Sequence, residues 1–163
     1  MKKGIILLTI LAGVFLAGRT NAQVSLSVNI GLQPIWGPVG YDHVEYYYFP
    51  DIDAYYYVPD HQYIYFEGGR WIFAAALPPR FHDFDVYHAY KAVVNDPKPY
   101  LHNERYRGQY ARYKGRHDQA VMRDSHDQRY FEIKDHPEHA KWKGNDHREG
   151  GDHHEGEEHH EGR

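Results

Sequence analysis

Two near-copies of one phrase, Tyr-Tyr-Tyr-X-Pro-Asp, stand at Tyr46 to Asp51 and at Tyr55 to Asp60. Aromatic rings pack well across a pleated surface, so three tyrosines in a row favour an extended strand. Proline supplies no amide to a ladder, and Pro-Asp therefore ends each strand in a turn. The phrase dictates strand, turn, strand, turn. It continues with a third strand over Gln62 to Phe66, a tight hairpin at Glu67-Gly68-Gly69-Arg70 whose glycines permit positive φ, and a fourth strand over Trp71 to Ala74.

In three successive strand residues the outer two face one side and the middle one faces the other. Tyr46 and Tyr48 thus oppose Tyr47, while Tyr55 and Tyr57 oppose Tyr56, and both faces are aromatic. One face is expected to be core. The other needs a covering segment, a partner, or phenols left in water. Cross-strand packing accounts for most of these rings. A ligand platform on the second face is the functional alternative, with Tyr47, Tyr56 and Trp71 as its candidate binding residues.

Around this centre, Val24 to Ile30 alternates apolar with polar and reads as a further strand. Gly31 to Gly40 is broken by glycine and proline, and reads as a loop that folds Trp36 back onto the domain. Leu77 to Phe81 is a stiff connector, Val86 to Tyr90 a helical turn, and Ala92 to Val94 a last strand. From Leu101 to Lys114, Tyr106, Tyr110 and Tyr113 recur four and three apart, which puts one tyrosine stripe on a helix. Gly108 weakens that helix by about 1 kcal/mol relative to alanine.

The ends settle other matters. Two lysines, an apolar run from Ile5 to Ala17 and a small-residue exit at Ala22 read as a cleaved secretory signal. The run is shorter than the roughly 20 residues that cross a bilayer, so no membrane span is expected after cleavage. The chain has no cysteine, hence no disulfide and no lipid-anchoring thiol. Without residues 1–22, 16 basic residues face 23 acidic ones, a net −7 that argues against nucleic acid as a partner.

Charge also divides the chain. Residues 23–97 hold nine acidic and three basic residues, 98–116 one and six, and 117–163 thirteen and seven. The expected organisation is a signal peptide over 1–22, an aromatic β domain over 23–99, a basic helical extension over 100–116, and a disordered, acidic, histidine-rich tail over 117–163. The fold class is mainly β: a small antiparallel meander of short aromatic-rich hairpins.

The last region holds nine of the fourteen histidines. His136 with His139, and His153, His154, His159 and His160 beside carboxylates, are donors for nickel, zinc or copper. Metal buffering is thus an alternative function, although the fold requires no cofactor. A zinc-protease helix is not encoded, because His154-Glu155 meets its next histidine only at position 159. The chain contains no Gly-x-Ser-x-Gly elbow and no phosphate-cradling glycine loop. Asp51 with Asp53, and Asp83 with Asp85, are the carboxylate pairs a glycan-active enzyme would need, but turn and cap duties explain them better.

The leader, Pro34 to Asp42 (PIWGPVGYD), Tyr46 to Pro59, Tyr63 to Trp71 (YIYFEGGRW) and Leu77 to Phe81 together resemble small exported bacterial envelope proteins with Tyr/Trp-rich repeats ahead of a Gly/His-rich or charged tail. The resemblance implies the envelope and supplies no catalytic residue. The expected function is non-enzymatic: a periplasmic or secreted protein, structural or binding, that presents an aromatic sheet surface to an envelope protein or glycan.

Overall fold

A computed structural model describes residues 28–142. Both tyrosine triplets form strands, β1 (Tyr46–Phe49) and β2 (Ala54–Tyr57), with Tyr47 opposite Tyr56. β2 then pairs with β3 (Gln62–Glu67), and β3 with β4 (Arg70–Ala74), through a two-residue turn in which Gly68 and Gly69 have φ of 58° and 79°. Positive φ at both central positions matches the right-handed twist of the flanking strands. β5 (Ala92–Val94) joins the far edge beside β1, so the fully antiparallel sheet runs β4-β3-β2-β1-β5. The two Pro-Asp turns close through left-handed residues that are not glycine, Asp53 (φ 51°) and His61 (φ 53°).

Both faces of the sheet are core. On one, Tyr46, Tyr48, Tyr55, Ile64, Ala92 and Val94 lie under helix α1 (Asn103–Tyr110), which buries Tyr106 against Tyr48 and Tyr55. The tyrosine stripe docks as its spacing predicts: Tyr110 packs on Tyr48, and Tyr113 stacks on Tyr90 with ring centres 4.3 Å apart. On the other face, Tyr47, Phe49, Tyr56 and Val58 are covered by Trp36, Phe84 and Val86. The Trp36 ring lies 5.3 Å from Tyr47 and 4.9 Å from Tyr56. Gly37 is required here, since a Cβ would stand 2.6 Å from the Tyr47 hydroxyl. The sheet's second face is therefore filled by a covering segment of its own chain.

Two expectations need correction. Ile30 does not end a strand; it opens a 3-10 turn, Ile30–Leu32. The Asn29 side chain, rather than a backbone ladder, ties this piece to the sheet by bonding both the N–H and the C=O of Val44. Residues 24–27 of the expected strand lie outside the described residues.

The tail boundary at residue 117 is also misplaced. Met122, Tyr130, Phe131, Ile133 and His136 are buried, and a third cluster joins Ile30, Met122, Tyr130 and Ile133 with Ile35 and Val39. The backbone is stitched as well, Met122 N–H to Gly37 C=O and Val39 N–H to Ala120 C=O. Charge counted over 117–163 as one block hid this, because the apolar residues all fall before position 143. The rest of the expected tail, 143–163, lies outside the described residues. Among the described residues, no helix is long and apolar enough to cross a membrane.

Candidate functional site

Lys98, at φ 49°, turns the chain from the sheet into a 3-10 turn, Pro99–His102, that leads into α1. The turn sets Tyr100 and Leu101 beside the free edge of the sheet. Tyr100 meets Trp71 at 5.7 Å and Phe73 at 5.3 Å, and Trp71 meets Phe66 at 5.2 Å. Phe66, Phe73 and Leu101 remain 52 %, 49 % and 60 % exposed. Large apolar side chains this open, gathered in one place, form a candidate contact surface. Between them and the start of α1 lies an open cleft of about 540 Å³, with Asn103, Glu104, Arg105 and Arg107 as its polar wall. That volume suits a small ligand or a few units of a polymer.

The polar wall is anchored from below by Asp53. Its carboxylate accepts from the Tyr48 hydroxyl (2.8 Å), from Asn103 Nδ2 (3.0 Å) and from Arg107 Nε (3.1 Å). Asn103 Oδ1 in turn accepts from the Tyr55 hydroxyl at 2.7 Å, and Arg107 Nη1 donates to Glu104 at 3.1 Å. Burial works to raise the Asp53 pKa, but the bonds from Arg107, Asn103 and Tyr48 outweigh it and hold the carboxyl below its ordinary value. The aspartate thus stays charged, and the first turns of α1 are fixed to the β1–β2 turn.

The structure separates the three sequence-predicted ring residues. Tyr47 is fully buried, with its hydroxyl donating to Gln33 Oε1 at 2.7 Å. Tyr56, on the same face, is 7 % exposed; its phenol bonds His61 Nδ1 at 3.1 Å in a separate depression shared with Trp36. Burial, with Tyr63 adding to it, pushes the Tyr56 phenol up to about 12. Trp71 lies on the opposite face, against Tyr55. The shared surface of Tyr47, Tyr56 and Trp71 is therefore corrected to a cleft that keeps Trp71 alone.

The two described histidines of the expected donor set are held in local hydrogen bonds. His136 Nδ1 accepts the Glu138 N–H at 3.0 Å, which leaves Nε2–H to donate to the Met122 carbonyl at 3.1 Å. His139 donates Nδ1–H to the Phe131 carbonyl at 2.7 Å. Both His136 nitrogens are thus engaged, and no group of three or more metal-ligating side chains occurs among the described residues. His153, His154, His159 and His160 lie outside those residues.

The acidic pairs take up structural bonds: Asp51 accepts the Gly115 N–H from across the chain, Asp83 pairs with His82, and Asp85 accepts the N–H groups of Tyr87 and His88. Phe66, Tyr100, Leu101, Asn103 and Arg107 were not singled out from sequence. A signal was present, since Tyr100, Asn103 and Arg107 repeat at three and four, a second helical stripe beside the tyrosine one. Comparison with protein-family models, curated proteins and solved structures finds no match to this chain.

Proposed function

We propose that the protein is a non-enzymatic, exported binding protein of the bacterial envelope, periplasmic or secreted, and that the Trp71–Tyr100 cleft is its contact surface for an envelope protein or glycan. The observation that carries this reading is the exposed apolar group of Phe66, Phe73 and Leu101 around the rings of Trp71 and Tyr100, in a molecule whose other sheet rings are largely covered. The hydrogen bonds of the polar wall to Asp53 support it, because they hold that wall in place before any ligand arrives. Export rests on the N-terminal pattern of charged, apolar and small residues.

Retention of the mature chain on purified peptidoglycan, other envelope glycans and envelope proteins tests the reading. Trp71→Ala and Tyr100→Ala should each lower retention about tenfold, the order of one lost aromatic contact of roughly 1.5 kcal/mol. Retention unchanged by both replacements excludes the cleft as the contact surface.

A further inference from the structure

Beside the cleft, α1 and the turn after it carry an unusual concentration of positive charge. Residues 98–116 hold six basic residues and one acidic residue, within a chain of net charge −4. Some of this charge is matched: Arg107 is held by Asp53 and Glu104, and Arg116 by Asp118. Arg105, one wall of the cleft, lies over the Tyr106 ring and pairs with Asp96 at 3.5 Å, a carboxylate that also accepts from the Tyr106 phenol. Arg112 lies over the Tyr113 ring and donates to its hydroxyl, with no carboxylate partner among the described residues. Lys114 is exposed, and has no acidic partner among the described residues.

These positions form a line. Arg105 and Gly108 lie three apart on α1, and Arg112 follows in the 3-10 turn, Ala111–Tyr113, that continues the helix, roughly 10 Å of helical rise beyond Arg105. Gly108 sits between them without a structural need for glycine: a Cβ there would meet nothing within 4 Å, and its φ is not positive. Its effect is to keep the surface between the arginines low. The surface thus offers aromatic rings at the cleft, a bare saddle at Gly108, and on either side of it two guanidinium groups, that of Arg105 shared with Asp96 at 3.5 Å and that of Arg112 on the Tyr113 ring.

We infer that the ligand of the cleft is an anionic polysaccharide, whose sugar rings stack on Trp71 and Tyr100 and whose carboxylates or phosphates lie along Arg105, Gly108 and Arg112. The inference rests on the reading of the cleft as a binding site. Sugar rings present C–H faces that suit aromatic side chains, and guanidinium groups bind carboxylate or phosphate in a fork geometry. Neither feature alone specifies this class; their continuity on one surface does.

The test is calorimetry of the mature chain with polygalacturonate, a phosphodiester-linked glycan, a neutral β-glucan and inorganic polyphosphate. At least one of the two anionic glycans should bind tenfold or more tightly than both the neutral glucan and polyphosphate, with affinity falling as salt rises; which of the two binds identifies the carboxylate or the phosphate as the anion. The double replacement Arg105→Ala and Arg112→Ala, and separately Gly108→Leu, should each weaken that binding at least tenfold with an unchanged circular dichroism spectrum. Equal binding of the neutral glucan, untouched by the arginine replacements but lost with Trp71→Ala, overturns the inference and leaves the cleft reading standing. Polyphosphate binding as tight as the glycans and indifferent to Trp71→Ala overturns both. Trp71-dependent retention of an envelope protein, with no glycan bound, keeps the cleft and overturns the ligand class.

Discussion

The Lys91 ammonium group is buried beneath Trp36, where Nζ donates to the Val86 carbonyl at 2.6 Å and the Tyr87 carbonyl at 3.1 Å. No carboxylate shares the site, and burial brings its pKa down to about 8, with distant Asp85 only partly opposing. The unfolded chain, with an ordinary lysine at 10.5, holds that proton more tightly, so the folded state gains stability as pH rises from about 8 towards 10.5. Tyrosines act oppositely. Burial raises Tyr46, Tyr56 and Tyr106 to about 12, above an unfolded value of 10, so their contribution is complete below pH 10 and is lost as pH climbs through 12. Denaturant unfolding should therefore show stability rising by about 2 kcal/mol between pH 7 and 9.5, then falling. Lys91→Met should abolish the rise and keep the fall; a rise that survives the replacement assigns it to another group.

Helix α1 is short, and most of its hold on the protein comes from its tyrosine face and the Asp53 bonds rather than from propensity. Gly108 lies on its solvent side, with room for a side chain. Gly108→Ala should raise stability by about 0.5–1 kcal/mol, read as a higher midpoint in thermal or urea unfolding, and a lower midpoint would mean that the glycine serves the fold after all. At this scale much was legible in sequence. The Tyr-Tyr-Tyr-X-Pro-Asp repeat carries its strands and turns in the local backbone preferences of tyrosine and proline, and the spacing of Tyr106, Tyr110 and Tyr113 carries the helix. Which rings of the sheet stay exposed at its β4 edge was not legible. That depends on where Trp36 and Tyr100 arrive from distant parts of the chain, a matter of tertiary placement that no period along the sequence encodes.

For the molecule as a whole, the segment after the helix is part of the folded unit. Met122, Tyr130 and Ile133 bury themselves against Ile30, Ile35 and Val39, and each large apolar side chain so buried is worth about 1.5–3 kcal/mol. Against a total stability of roughly 5–15 kcal/mol, removing three is severe. A chain ending after Gly115 should lose cooperative thermal unfolding, whereas one ending after Trp142 should keep it. Limited proteolysis should accordingly leave a resistant fragment that ends near residue 142, not near 115; a stable fragment ending at 115 would show the third cluster to be dispensable.

The stitching of the Trp36 loop to this late segment also orders events in time. Gly40 donates its N–H to the Tyr130 hydroxyl across 90 residues of sequence, whereas each hairpin of the meander closes over a few. A chain delivered N-terminus first, from a ribosome or through an export channel, has its four consecutive strands complete while the cover for Ile35 and Val39 has yet to emerge. Until Met122 and Tyr130 emerge, the nascent protein carries an open apolar flank, the kind of surface that chaperones hold and that delays final folding. This late segment is in this sense a latch, and the chain cannot commit to its folded state before nearly all of the described sequence has emerged.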